Sequence, residues 1–382
     1  MPLPVSLYVH FPWCVRKCPY CDFNSHQLHG SLPEVNYLEA ILDDLDRDCE
    51  RFDPAEIISV FIGGGTPSLF SPDALDRLIN AIARRGLINR QTEITLEANP
   101  GTVDVGRFRG FREAGVNRIS IGVQSFNNTL LHRLGRIHDS ATASLAIERA
   151  REVGFGEINV DLMFGLPGQS VAQGIDDIEC ALRLKPDHIS YYQLTLEPNT
   201  LFHRFPPELP DEDSVDRLYE ESSQRLVAAG FRRYEVSAWA REEAICRHNL
   251  NYWQFGDYLG IGAGAHAKVT TPDRKTVTRI VKHKHPTAYM GALEDSSYIM
   301  SSRTSSVEDR IFEFMLNALR LRGGVSWELF ESRTGLGREI VKGVVDRASE
   351  RGLLCADSLI PTELGERFLD DLVGFFVPSN GV

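Results

Sequence analysis

The chain has 382 residues, 42% hydrophobic and 25% charged, a composition that fits a folded globular protein and excludes a disordered or fibrous one. Lys and Arg number 41 against 53 Asp and Glu, and the formal charge of −12 opposes general binding to nucleic-acid backbones. Apolar runs such as 57–62 are strand-sized, far short of the roughly 20 residues of a membrane span, and Met1-Pro2-Leu3-Pro4 carries no signal-peptide pattern, so the expectation is a cytoplasmic chain for which only peripheral membrane contact stays open.

In chain order, segments 7–10, 60–62, 94–97, 118–123, 159–163 and 188–194 are short, apolar or β-branched, and bounded by Gly, Pro or Asn; they read as strands. Between them 37–49, 72–84, 105–114, 141–153 and 171–183 have helical periodicity, with Ser71 before Pro72 marking a capped start. This alternation predicts an α/β chain with a parallel sheet. Every predicted strand delivers polar groups at or near its C-terminal end. A cysteine cluster follows the first and Gly63-Gly64-Gly65-Thr66 the second, Glu97-Ala98-Asn99-Pro100 ends the third, and Gln124-Ser125-Phe126 follows the fourth. Asp161 lies late in the fifth and Tyr192-Gln193 late in the sixth. An open sheet concentrates such groups at one switch point, whereas a barrel brings all its C-terminal ends to one mouth. The expected fold is therefore a partial (β/α)6 TIM-like barrel over 1–205.

Beyond residue 201 the texture changes. Pro206-Pro207-Glu208-Leu209-Pro210 and the acidic 211–213 read as a boundary before a helix at 214–229, and 234–269 as short strands and aromatic loops. The stretch 274–285, with five Lys or Arg, reads as a solvated hairpin or loop, and 206–300 as an extension of the barrel. Helical periodicity returns at 310–321, 327–333 and 338–351, followed by an extended pair at 353–361 and a last helix at 362–372. That order suits a mainly helical, winged-helix-like domain over 301–382, and the acidic residues mixed along its faces favour packing or partner docking over DNA.

Seven cysteines, an odd number, argue against a disulfide framework. Cys49, Cys180, Cys246 and Cys355 are scattered and read as small buried residues. Cys14, Cys18 and Cys21 instead fall within eight residues as C-x3-C-x2-C. Three thiolates in one short loop can wrap an inorganic centre. A closed structural zinc site needs four ligands, usually from two knuckles, and neither His10 nor His26 stands at a finger spacing. On a [4Fe–4S] cube three cysteines leave one iron open to a non-protein ligand.

The stretch Tyr8-Val9-His10-Phe11-Pro12-Trp13-Cys14-Val15-Arg16-Lys17-Cys18-Pro19-Tyr20-Cys21 resembles the radical S-adenosylmethionine (SAM) superfamily, and Gly63-Gly64-Gly65-Thr66-Pro67 resembles its glycine-rich motif. The resemblance covers nearly the whole chain and narrows to the coproporphyrinogen-dehydrogenase-like branch. It implies a [4Fe–4S] cluster on Cys14, Cys18 and Cys21 and S-adenosyl-L-methionine at its open iron. It also implies that Tyr8, Tyr20, Gly64, Gly65, Thr66, Glu97, Gln124, Arg136 and Asp161 line the SAM site. The residue types suit that role: carboxylates accept from ammonium or hydroxyl groups, and Arg136 pairs with a carboxylate. Two departures separate the chain from the dehydrogenase type, HemN. Phe23 stands where that enzyme has a further cysteine, and the triad begins at residue 14 without its N-terminal extension.

A second constellation, Arg247-His248-Asn249-Leu250-Asn251-Tyr252-Trp253, contains H-N-x-x-Y-W, which resembles the haem-binding signature of the HemW type. Histidine offers an axial nitrogen to iron, and Tyr252 and Trp253 offer flat apolar surface to a porphyrin; Cys246 competes as ligand. The glycine-dense 260–266 lacks the spacing of a dinucleotide fingerprint and is expected to pack backbone against the barrel mouth. The resemblance implies a haem chaperone that passes haem to an acceptor protein, without coproporphyrinogen dehydrogenase activity. The alternative is an oxygen-independent coproporphyrinogen III dehydrogenase.

Overall fold

The structure, a computed structural model, describes residues 4–295 and 297–378, so Met1 to Leu3 of the N-terminal reading and 379–382 of the C-terminal span lie outside the described residues. The six expected strands are present as β1 (Val5–Phe11), β2 (Ile57–Gly64), β3 (Glu93–Ala98), β4 (Arg118–Gln124), β5 (Glu157–Phe164) and β6 (His188–Gln193). They pair in sequence order, all parallel. Helices α1 (Glu34–Phe52), α2 (Pro72–Arg84), α3 (Val105–Glu113), α4 (Ser140–Val153) and α5 (Val171–Arg183) are the crossovers. Local chemistry starts them: Ser71 accepts from the Ala74 N–H, and Ser170 with Gln173 closes a capping box. Helix α2 then buries Ala74, Leu75, Leu78, Ile79 and Ile82, one stripe at helical spacing.

Six further strands extend the sheet: β7 (Arg232–Arg233), β8 (Ala238–Ala240), β9 (Asp257–Ile261), β10 (His266–Thr270), β11 (Val277–Lys282) and β12 (Ile299–Thr304). The spatial order is β12-β11-β10-β9-β1-β2-β3-β4-β5-β6-β8-β7. Strand β9 lies parallel to β1, with Leu7 opposite Leu259; the others added are antiparallel. Strands stand about 4.8 Å apart, so in a flat sheet β1 and β6 would be roughly 24 Å apart. Yet Cys14 just past β1 and Tyr192 on β6 line one cavity, so the sheet curls into a partial barrel.

Helices α6 (Glu212–Ala228), α7 (Arg247–Trp253) and α8 (Pro286–Asp295) belong to the extension. Leu218 of α6 packs so tightly on Gly174 of α5 that a Cβ there would lie 2.5 Å from its methyl carbon. Leu218, Trp239, Leu259 and Tyr289 share the barrel's core. Helices α9 (Val307–Ala318), α10 (Trp327–Thr334) and α11 (Glu339–Glu350) enclose a second core around Phe314, Phe330, Val345 and Leu372.

Three expectations are corrected. The basic stretch 274–285 is not a solvated loop, because β11 pairs on both edges. Its Lys282 is 1% exposed, with Nζ 2.6 Å from Asp44 and 2.8 Å from Asp48 of α1. The charge count concealed a paired strand that buries Val277, Ile280 and Lys282, and this buried cation has buried partners. The last helix divides into Glu363–Arg367 and Leu369–Gly374, since Phe368 between them leaves helical dihedrals (φ −111°, ψ 50°). Of the four scattered cysteines expected to be buried, Cys246 is, Cys49 and Cys180 are half-buried, and Cys355 is exposed.

Candidate functional site

A cavity of about 460 Å³ opens at the C-terminal ends of the six parallel strands. Cys14, Cys18 and Cys21 line it, half-buried and free of disulfides. Backbone bonds shape their loop: Cys21 N–H donates to Cys18 O at 3.2 Å and Leu28 N–H to Cys14 O at 2.8 Å. Burial pushes the Cys14 thiol up, offset in part by a hydrogen bond with Thr66. Among the described residues no three His, Cys, Asp or Glu side chains converge tightly enough for a single ion. The three cysteines nevertheless line one cavity from a single short loop, the placement that lets thiolates share one inorganic centre.

Tyr20, Gly64, Gly65, Thr66, Glu97, Gln124, Arg136 and Asp161 line this same cavity. Two glycines make the close approach. Gly64 has φ +115°, and a Cβ there would strike the His10 ring at 2.6 Å; a Cβ on Gly65 would lie 2.6 Å from the Trp13 carbonyl. Glu97 Oε2 accepts from the Gly64 N–H at 3.0 Å, and burial together with nearby Asp161 pushes its carboxyl up to about 8. Gln124 sits in the left-handed region, φ 72°, beside a register shift between β4 and β5, and its Oε1 accepts from Tyr192 OH at 2.7 Å. The Arg136 guanidinium donates to Gly122 O at 2.6 Å and lies 3.7 Å from the Cys18 sulfur; its buried Nε has no partner. Asp161 accepts from Ser120 Oγ at 3.0 Å and Asn159 Nδ2 at 2.7 Å, and burial raises its pKa.

Tyr8 stands outside this group. It lines two adjoining cavities, of about 520 and 450 Å³, that share Glu97 with the mouth, and its hydroxyl lies 3.0 Å from His10 Nδ1. The 450 Å³ cavity is the barrel interior, and α7 forms its floor. There Glu93, the first residue of β3, accepts from the N–H groups of Arg247 (2.9 Å) and His248 (3.1 Å), anchoring the helix N-terminus. His248 is 1% exposed; Nδ1 lies 3.2 Å from Ser59 Oγ, whereas Nε2 is buried without a partner. Burial pushes its pKa down to about 3. Tyr252 also lines the interior, its ring 4.8 Å from that of His248. Trp253 does not: it lines none of these three cavities, and its ring lies 4.4 Å beneath the Arg320 guanidinium. Successive helical residues diverge by roughly 100°, so Tyr252 and Trp253 serve different surfaces. Cys246 faces the interior, but burial and the neighbouring Glu93 push its thiol up to about 12. The glycine-dense 260–266 packs on β1 and the cysteine loop, with Gly262 against His10 and Gly264 against Asn24, and borders the 520 Å³ cavity rather than the mouth.

The polar interior was not anticipated. Asn159 Nδ2 donates to Ser120 (2.8 Å), Asp161 (2.7 Å) and Ser190 (3.0 Å), and His188 Nδ1 lies 2.7 Å from Asn159 Oδ1. Its signal was present: Asn159/Asp161 and His188/Ser190 are polar pairs two residues apart, the spacing of one strand face.

The Radical SAM superfamily model matches residues 8–181 and the HemN C-terminal domain model matches 306–360. The chain is 46% identical over 380 residues to the protein named heme chaperone HemW of Haemophilus influenzae, covering 98% of each. It is likewise 46% identical over 376 residues to the heme chaperone HemW of Escherichia coli, again covering 98% of each. Its fold is similar to that of coproporphyrinogen III oxidase (HemN) from Escherichia coli, with a TM-score of 0.82 at 21% identity over 98% of this chain and 90% of that one.

Proposed function

We propose that this chain, which belongs to the HemW family of the radical SAM superfamily, binds haem and hands it to an acceptor protein. The observation that carries this reading is the 46% identity to proteins named heme chaperone over 98% of both chains. In it Cys14, Cys18 and Cys21 hold a [4Fe–4S] cluster, supported by three free thiols facing one cavity beside the Arg136 cation. Tyr20, Gly64, Gly65, Thr66, Glu97, Gln124, Arg136 and Asp161 receive S-adenosylmethionine, with Tyr8 behind Glu97. When bound, the cluster and SAM supply one-electron chemistry. The residues fit the groups: the glycines leave room, Arg136 Nε is a free donor, and two carboxyls face the cavity.

For haem, His248 is the proposed axial ligand. The residue lines the interior, its buried Nε2 has no hydrogen-bond partner to displace, and its lowered pKa keeps the ring neutral, the form that ligates iron. Tyr252 contributes flat surface, and the raised thiol pKa of Cys246 disfavours thiolate ligation. No helix of the described residues is long and apolar enough to cross a membrane. Free cysteines suit a reducing compartment such as the cytoplasm.

The test is anaerobic reconstitution of the cluster followed by titration with haem. Wild-type protein should show a sharp Soret band at one haem per chain and release haem to an apo-globin. His248→Ala should shift or lose that band with the cluster absorbance intact, and Cys246→Ser should leave it unchanged. An unchanged band in His248→Ala with an altered one in Cys246→Ser moves the ligand to Cys246. Failure of the wild type to bind haem overturns the reading.

A further inference from the structure

The cavity of about 520 Å³ on the β9–β10 side of β1 is within the range of small-molecule sites. Its walls are Tyr8 on β1, Tyr252 on α7 and Tyr258 on β9, the last two with ring centroids 4.4 Å apart. Its rim carries His266, the first residue of β10, and Lys284, both exposed. These two are held by construction. A Cβ on Gly260 would lie 1.9 Å from the His266 carbonyl, so only glycine lets the backbones meet there. Asn24 Nδ2 then donates to Ala263 O at 2.9 Å and to Lys284 O at 2.8 Å, tying both flanks of the rim to the cysteine loop.

The chemistry on offer is specific: three tyrosine rings, two of them packed edge-to-face, an accessible imidazole and a cation. It matches a planar metal macrocycle that needs an axial nitrogen and carries carboxylates. His248, by contrast, is 1% exposed, and the rings of Phe61 and Tyr252 stand 5.0 and 4.8 Å from its own. Tyr8 and Tyr252 line both cavities, so the outer one adjoins the inner, with these two rings between them. Two carboxyls also line the outer cavity: Glu97, pushed up to about 8 by burial and by Asp161, opposes a propionate only weakly at neutral pH, and Asp22 is exposed, where water screens it.

The geometry points to an outer haem-docking site in this cavity, with His266 supplying the axial nitrogen and Lys284 pairing with a propionate, at which haem is taken up and released ahead of the His248 position. The inference rests on the haem-carrying reading and adds a second station to it. Rapid mixing of haem with the cluster-reconstituted full chain tests it. In wild-type protein a fast spectral phase with an imidazole-ligated Soret band should precede the final spectrum. His266→Ala should lose that phase and slow uptake at least fivefold while ending at the wild-type spectrum. Free imidazole in the buffer should restore the phase, which it would not do for a merely structural defect. Lys284→Glu should slow uptake at least threefold, and His248→Ala should retain the fast phase. Wild-type rates and spectra in His266→Ala would overturn the docking site and leave the haem reading standing; absence of haem binding by the wild type would overturn both.

Discussion

Replacing Glu97 by Gln probes a carboxyl held at the junction of three cavities. Burial and then Asp161 raise it from an ordinary 4.5 to about 8, while its Oε2 accepts from the Gly64 N–H at 3.0 Å. In the unfolded chain the same group titrates near its ordinary value of about 4.3. Between the two values the folded chain keeps a proton that the unfolded chain has released, so this contribution to stability is complete below about pH 4.5, declines as pH rises, and is gone above about pH 8. At about 1.4 kcal/mol per pH unit, the limit between pH 5 and pH 8 is on the order of 4 kcal/mol. Glu97 is only half-buried against cavity space, so screening and relaxation reduce the expected difference to about 2 kcal/mol. Gln keeps an acceptor for Gly64 and cannot titrate. Glu97→Gln should therefore be more stable than wild type by about 2 kcal/mol at pH 8 and no more stable at pH 5. Urea midpoints of both proteins, reduced and without cluster or SAM, measured at each pH unit from 5 to 8, decide the matter. Parallel pH profiles would mean the carboxyl is ionised throughout, and the reasoning would fail.

Cys14→Ala, Cys18→Ala or Cys21→Ala should each abolish the brown absorbance of the reconstituted protein, and retention of about four irons per chain would refute the cluster assignment. Gly65→Val places a Cβ 2.6 Å from the Trp13 carbonyl, backbone that cannot rotate away, so it should weaken SAM binding at least tenfold in calorimetry and reduce cluster retention. Unchanged affinity would move the SAM site elsewhere. With Phe23 in place of a further cysteine, reduced protein mixed anaerobically with SAM and coproporphyrinogen III should give no protoporphyrinogen, and turnover would restore the dehydrogenase alternative.

The barrel and its mouth were legible in the sequence because their signals are local. Period, turn residues and caps act within about ten residues, so α2 and α5 begin and end where their patterns predict. Parallel strand order then brings every strand's C-terminal end to one place, so residues noted one strand at a time became one site. What depended on distant partners was not legible. Lys282 reads as surface charge until Asp44 and Asp48, more than 230 residues earlier, are packed against it. The H-N-x-x-Y-W segment reads as one haem platform, yet its helix seats His248 on the barrel floor through Glu93 and Ser59 and turns Trp253 towards Arg320. The outer cavity is assembled from β1, α7, β9, β10 and the loop past β11, and no motif spans them. Hydrophobic periodicity specifies which face of an element is buried; which element it meets is decided by packing and by the pairing of buried charges, and those exist only in the folded chain.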